Sequence, residues 1–502
     1  MNHALPLLVG IPLGMAVLTL LLSKASARIA DFTAFITVAV TTFIAFMLMG
    51  TPVDTYWMGN WFPPFGIVLV YDGLSGLMLL IINLIALLSI IYSFSYMEKY
   101  TAKPKFYSLF LLMLAGMNGV ALTGDLFNMF VFLEMASLAS YALVGFGVEH
   151  QELEASFKYL ILGTVASTMI LLGIALTYAM TGSVNMADVA STLSAMPAKT
   201  TIAFAAGVFL MGFSLKSGLV PFHAWLPDAH PSAPAPISAM LSGVLIKALG
   251  VYAMVRVMFN VLGAVPIYQD IMLVLGGISM VVGGLLAIGQ WDMKRMFAYS
   301  SISQIGYIVI ALGLGTNLGL LAGIFHMFNH SFFKSLLFLS SGSIEHATGT
   351  KNLRKLGGLA QKMPVTTTTT TIGALSISGV PPFNGFFSKL LVIIACIAAG
   401  QWLLGILAAG VSVITLLYFL KAMRFSLFGD LPSALSNIKE VPFSMAFSVI
   451  TLAVICLGVG IAYLIGGPSF TDIFLQPAAD VLMDGLKNGS ANYITTVLGI
   501  GG

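Results

Sequence analysis

The sequence is short of charge. Only 8% of its 502 residues are Asp, Glu, Lys or Arg, whereas soluble proteins carry about 25%. No stretch is polar enough for a large soluble domain. Because 58% of the residues are hydrophobic, the chain reads as an integral membrane protein nearly throughout. Cysteine is scarce too. Cys396 and Cys456 both lie in apolar runs, which offers neither a disulfide framework nor a thiol cluster for zinc or iron–sulfur binding. No Lys or Arg precedes the first apolar run, Leu5 to Leu22. A cleaved signal peptide opens on basic residues, so this run reads as the first membrane helix. No phosphate-binding loop, nucleophilic triad or cofactor motif is visible, and no cofactor is expected.

What the chain has is long apolar runs. About 20 apolar residues cross a hydrocarbon core about 30 Å thick. Fourteen such runs are readable, at 4–23, 30–49, 76–96, 106–123, 126–148, 156–181, 202–226, 237–258, 271–290, 300–314, 317–344, 365–399, 404–427 and 442–466. The expected fold is therefore all-α and integral to the membrane, with about 14 transmembrane helices. The tenth run is short, and the twelfth is over-long and contains Gly-Val-Pro-Pro. Numbering the loops alternately sends 15 basic residues to one side, against Lys199, Arg256 and Lys487 on the other. Cytoplasmic loops carry the excess of Lys and Arg, so both termini are expected outside. Residues 467–502 form a mixed tail, read as an amphipathic surface helix.

Four lysines and one glutamate fall inside these runs: Glu134, Lys216, Lys247, Lys334 and Lys389. A charge at the bilayer centre costs roughly 2.5–3.5 kcal/mol on insertion scales, and such groups commonly line an ion or proton path. Glu134 is about eight residues into its run, roughly 12 Å deep at 1.5 Å per residue. Loss of water favours the neutral form of a carboxylic acid or an amine, while a nearby opposite charge restores the charged form. A Glu–Lys pair of variable separation could therefore load and release a proton. A static ion pair joining two helices is the plainer alternative. Lys216 and Lys247 are too central to reach a membrane surface easily; the plainer role for Lys216 is bonding to loose carbonyls at a helix break.

His326, His330 and Lys334 recur at i, i+4 and i+8 and share one helix face. Imidazoles titrate near neutral pH and relay protons; polar packing between helices is the alternative. No Glu follows the first His in an H-E-x-x-H pattern, which argues against a metal. The segment 217–222, Ser-Gly-Leu-Val-Pro-Phe, resembles 378–383, Ser-Gly-Val-Pro-Pro-Phe. These lie in the seventh and twelfth runs, an odd offset that gives opposite directions through the membrane. Paired Gly/Pro-interrupted helices in two halves point to a transport site. Lys216 precedes the first break and Lys389 follows the second. Asp125, Asp228, His223 and His230 flank helix ends, where caps and solvated charges are common; the two histidines could serve proton access. Asp292, Lys294 and Arg295 read as a loop charge cluster.

The blocks Gly124-Asp125-Leu126-Phe127-Asn128 through Glu134, 216–227, Asp292-Met293-Lys294-Arg295 through Tyr307, His330-Ser331-Phe332-Phe333-Lys334, and Gly379-Val380-Pro381-Pro382 through Lys389 together resemble a known family. It is the antiporter-like subunit family shared by Mrp-type sodium/proton antiporters, respiratory complex I and membrane-bound hydrogenases. The likeness runs from about residue 60 to 425. Segments 60–70 and 181–188 are similar to the D-type member of Mrp antiporters and its hydrogenase counterpart, while 225–231 looks more like the complex I and hydrogenase members. The resemblance implies two inverted five-helix repeats, with broken helices 7 and 12. Residues 1–105 would hold helices 1–3, residues 106–258 the first repeat, 271–427 the second, and 428–502 helix 14 with the tail. It also implies proton translocation by Glu134, Lys216, Lys247, His326, His330, Lys334 and Lys389. Glu134 and Lys216 would form the ion pair of the first half, and Lys389 would face the outer exit. Such subunits work beside other membrane subunits, in a prokaryotic cell membrane.

Two readings follow: a subunit of a cation/proton antiporter carrying protons and, as a further candidate, Na⁺; or the pumping subunit of a complex I-like redox enzyme such as a membrane-bound hydrogenase. A stand-alone solute carrier is disfavoured, since no pocket chemistry beyond titratable groups is visible. A scaffold that conducts nothing is the bland alternative.

Overall fold

A computed structural model describes residues 3–24, 26–196, 200–263 and 265–499. Lys199, assigned to an outer loop from the sequence, lies outside the described residues. The chain opens with α1 (Ala4–Leu22) and α2 (Ala27–Leu48), then strands β1 (Asp54–Trp57) and β2 (Val68–Tyr71). Next come α3 (Gly73–Tyr96), α4 (Lys103–Leu122), α5 (Leu126–Val144), α6 (His150–Thr181), the short α7 (Met186–Ser194) and α8 (Thr200–Ser217). Short α9 (Leu226–Ser232) leads into one continuous helix, built from α10 (Ala235–Met240), a π-helical stretch Leu241–Tyr252, α11 (Ala253–Val255) and a second π stretch Arg256–Val261. Then follow α12 (Pro266–Ile288), α13 (Met293–Gly313), α14 (Asn317–Thr348), α15 (Pro364–Ser378), α16 (Asn384–Ala398), α17 (Trp402–Ser426) and α18 (Phe443–Gly466). The tail forms α19 (Pro468–Phe474), α20 (Gln476–Asn488) and α21 (Ala491–Leu498).

Twelve helical stretches among the described residues are long and apolar enough to cross a membrane. The expected eleventh and twelfth segments add to these. The eleventh is α14, 32 residues long and studded with His, Ser and Lys; the twelfth is α15 and α16, separated by residues 379–383. The tenth segment is not short. Asp292 caps α13, accepting from the Arg295 N–H at 2.9 Å, and the helix runs for 21 residues. The expected run began only at Ser300, because Lys294 and Arg295 in the first turn read as loop charges, yet Lys294 is buried. Large apolar side chains such as Phe32, Phe43, Phe157, Leu403 and Val454 are exposed on the helix flanks, as a lipid-facing surface requires. Small residues bring helices together: a side chain at Gly283 or Gly306 would collide with the backbone across the α12–α13 contact, the close approach typical of membrane helix pairs.

Two features depart from the sequence reading. The antiparallel β1–β2 hairpin, paired from Asp54↔Tyr71 to Trp57↔Val68, was not anticipated within an all-α chain. The tail is three short helices rather than one surface helix. They fold back on the bundle, burying Ala478, Ala479 and Leu482, and Asn260 Nδ2 donates to the Val481 carbonyl at 2.7 Å.

The hairpin delivers Asp72, which caps α3 by accepting from the Leu74 and Ser75 N–H groups at 3.1 and 2.9 Å. Its carboxylate also takes a two-pronged bond from Arg256, Nη1 to Oδ2 at 2.7 Å and Nη2 to Oδ1 at 2.9 Å. Arg256, read from the sequence as a loop charge, is therefore buried in an ion pair. Burial alone would push the Asp72 carboxyl up, but the Arg256 charge and the bonds from Arg256 and Ser75 outweigh it and hold it below the usual aspartate value. A depressed folded-state value means that this contribution to stability is present above the ordinary value of 3.8. It is lost as pH falls through the lower folded value. Arg256→Met strands a buried carboxylate and is expected to cost about 3–5 kcal/mol at pH 7. Asp72→Asn combined with Arg256→Met should cost clearly less. Thermal unfolding of the purified variants in detergent checks both; equal losses would refute the pairing.

Candidate functional site

Glu134, Ser137 and Tyr141 recur at i, i+3 and i+7 on α5 and so share a face. Lys216 is the penultimate residue of α8, which ends where Gly218 adopts φ +71° and Pro221 follows. The freed carbonyl of Leu215 is taken up by the Trp225 indole N–H at 3.0 Å, and the Val220 N–H finds Ser279 Oγ at 2.9 Å. Such a break survives at membrane depth because protein groups satisfy it. The break leaves the Lys216 ammonium facing α5. Its Nζ donates to Ser137 Oγ at 2.9 Å and to the Tyr141 hydroxyl at 3.4 Å, and stands 3.6 Å from Glu134 Oε1. Glu134 Oε1 accepts a short hydrogen bond from Ser167 of α6.

Each charge of the pair thus has its own hydroxyl partner. The two can separate without stranding either in a medium where an unpaired charge is costly. The surroundings are unequal: the Lys216 side chain is 4% exposed and that of Glu134 25%, so the carboxylate opens on the outer flank of α5 and α6. Aromatic rings wall the lysine. Tyr141 packs edge-on to Tyr159 at 4.5 Å, and Tyr159 stacks on Trp225 at 4.3 Å.

Lys247 sits in the π-helical stretch. Wider winding frees carbonyls of its own helix, and Nζ donates to Ser242 O and, at 2.9 Å, to Gly243 O. On α14, His326 Nε2 hydrogen-bonds with Gln304 Oε1 at 3.1 Å and Nδ1 with Ser388 Oγ at 3.0 Å. The His330 ring lies 6.3 Å from that of His326, and neither of its nitrogens has a hydrogen-bond partner among the described residues. Lys334 Nζ donates to the Phe297 carbonyl at 2.7 Å and to Ser300 Oγ. Lys389 is buried with its Nζ 5.0 Å over the Tyr307 ring, and that ring is 5.6 Å from His326. Asn329 and Asn384 exchange bonds of 3.1 and 3.0 Å, which ties α14 to the start of α16 and fixes Lys389 relative to His326.

The seven titratable groups therefore fall into two clusters. Glu134 meets Lys216. Lys247, His326, His330, Lys334 and Lys389 share a second region, and His330 lies within electrostatic reach of the other four. No side chain bridges Lys216 to Lys247 directly among the described residues, although Gly250, one turn past Lys247, packs against Ser217. The hydroxyl and amide groups that hold these residues (Ser137, Tyr141, Ser167, Gln304, Ser388) were not singled out from the sequence. Only Ser137 and Tyr141 carried a signal, their spacing from Glu134. Buried amines and imidazoles so placed can exchange protons through intervening hydroxyls or water, and each transfer alters the field at the next group.

Over residues 123–415 the chain matches the family described as NADH:quinone oxidoreductase/Mrp antiporter, TM, and over residues 61–107 that described as NADH-Ubiquinone oxidoreductase (complex I), chain 5 N-terminus. It is 36% identical over 374 residues to the D-type polypeptide of the Na(+)/H(+) antiporter of Alkalihalophilus pseudofirmus, covering 74% of this chain and 76% of that one. It is also 36% identical over 416 residues to the N-type polypeptide of the NADH-quinone oxidoreductase of Desulforudis audaxviator, covering 80% and 83%. Among solved structures, a chain of the Mrp complex from Dietzia sp. DQ12-45-1b superposes with a TM-score of 0.89 at 29% identity, covering 99% of this chain and 100% of that one.

The second break is packed without slack. A side chain at Gly385 would overlap the Ser376 carbonyl, and one at Gly460 of α18 the Pro382 carbonyl. Gly385→Ala is therefore expected to destabilise the protein by about 1–3 kcal/mol, the usual cost of overpacking. Thermal unfolding in detergent checks it, and an unchanged midpoint would contradict the close contact.

Proposed function

The chain belongs to the NADH:quinone oxidoreductase/Mrp antiporter transmembrane family, and we propose that it is the D-type, proton-translocating subunit of a multisubunit cation/proton antiporter. The observation that carries this reading is the Glu134–Lys216 pair: 3.6 Å apart, unequally buried, and with a separate hydroxyl partner for each charge. A charge moved toward Glu134 from its more exposed side draws the pair apart or together. That changes the proton affinity of Lys216, and the altered field acts on Lys247. His326, His330 and Lys334 of α14 carry the proton onward, and Lys389 at the second break releases it. The matching breaks at 218 and 379 support two inverted repeats, 106–258 and 271–427, preceded by helices 1–3 within 1–105 and followed by 428–502.

The positive-inside asymmetry supports a cytoplasmic location for the end that carries Lys99, Lys158, Lys294 and Lys351, with both termini outside, in a prokaryotic cell membrane. The partners are then further membrane subunits, and the cargo is protons with Na⁺ as the exchanged cation. A second reading, the pumping subunit of a redox enzyme, is favoured by the likeness to the N-type polypeptide of NADH-quinone oxidoreductase. Purification of the native assembly separates the two: iron–sulfur partners support the enzyme, and small membrane subunits alone support the antiporter.

Glu134→Ala and Lys216→Ala are each expected to abolish cation-driven proton movement in proteoliposomes containing the assembled complex, without loss of assembly on gel filtration. Wild-type rates in both variants would remove the mechanism.

A further inference from the structure

At the end of the bundle that carries the basic loops lies an open cavity of about 680 Å³. Glu152, Lys158, Asp228, Lys294, Glu345 and Lys351 line it. Most of its charge is matched near the rim: Asp228 pairs with Lys158 at 3.0 Å and with Arg295 at 3.3 Å. At the floor, Lys294 is not the loop charge its sequence context suggests. Its side chain is 2% exposed, and Nζ meets Glu345 Oε2 at 2.7 Å and the Ala233 carbonyl at 3.3 Å.

Ala233 ends the short helix α9, which carries His230 one turn earlier. His230 is fully buried, and neither ring nitrogen has a hydrogen-bond partner among the described residues. A buried imidazole with both nitrogens unpaired is a net cost to folding, which an apolar residue of the same volume would not incur. Its ring stacks on Phe338 of α14, with centroids 4.8 Å apart. Phe338 lies one turn from Lys334, whose Nζ stands 5.7 Å from the same ring. His230 thus occupies the ground between the vestibule floor and the inner lysines.

We infer that this vestibule is the proton-uptake site for the second cluster of titratable groups, and that His230 passes protons from its floor to Lys334. The inference rests on the proton-translocating reading given above. A neutral imidazole takes a proton from water at the floor on one nitrogen. It gives up the proton on the other to a neutral Lys334 amine, leaving the ring neutral and the lysine an ammonium. Burial and the positive charges of Lys334, Lys247 and Lys294 hold the His230 value down, so the ring stays neutral at rest and takes a proton when Lys334 has lost its own. The charged groups around it are Lys294 from α13, Lys334 from α14 and Lys247 from the π-helical stretch. Asp228 on its own helix is engaged by Lys158 and Arg295, and Glu345 by Lys294.

The test uses the assembled complex in oriented proteoliposomes, with pH varied separately on each side. His230→Gln and His230→Phe are expected to slow proton movement at least tenfold and to flatten the pH dependence on the basic-loop side, leaving that on the opposite side unchanged. If His230→Phe fails to assemble, His230→Gln carries the same test. Rates within twofold of wild type with an unaltered profile, or equal changes on both sides, would overturn the relay. Glu134→Ala and Lys216→Ala are measured alongside. Normal transport in those two would count against the proposed function itself, whereas normal transport in the His230 variants alone would remove only this route.

Discussion

Hydrocarbon offers no hydrogen bonds, so most polar groups this chain carries into the membrane are partnered within the protein, with His330 and Lys389 among the exceptions in the described residues. The interrupted helices follow from that constraint. A break at Gly218 or Gly379 exposes backbone groups, and around the first break they are answered by the Trp225 indole and the Ser279 hydroxyl. The same constraint governs the charges. Lys216 is held by Ser137 and Tyr141, Lys334 by Ser300 and the Phe297 carbonyl, and Lys247 by carbonyls that its own π-helical winding frees.

The amines are held mainly by neutral groups, and this bears on function. A lysine fixed by a close, two-pronged carboxylate resists losing its proton; Arg256 with Asp72 is the contrasting case, a permanent clamp at one end of the bundle. Lys216 stands farther from Glu134 than from the Ser137 hydroxyl. Hydroxyls and carbonyls stabilise an ammonium without committing it to that state, and a hydroxyl can turn to serve the neutral amine as well. In the proposed function, a change in the local field shifts the protonation of amines held this way more readily than that of a fully paired buried charge.

Much of this was legible in the sequence. Scarcity of charge and the length of the apolar runs give a helical membrane protein. The paired Gly/Pro motifs locate both breaks, and Glu134, Lys216, Lys247, His326, His330, Lys334 and Lys389 stand out because ionisable residues are rare in apolar runs. Where the reading slipped, one cause recurs. The start of α13 was missed because Lys294 and Arg295 resemble a loop in composition. Lys294 and Arg256 were taken for loop charges because their partners, Glu345 and Asp72, lie far away in the chain.

The sequence by itself determined that the chain crosses the membrane many times and which side chains are costly to keep there, since both follow from residue type and local run length. Tertiary structure decided which of those side chains meet. Glu134 and Lys216 are separated by two intervening helices along the chain, and the His230 ring meets Phe338 of α14 only because α9 packs against α13 and α6. Partner choice, burial and the two-cluster arrangement depend on helix packing across long sequence distances, where local pattern carries no information.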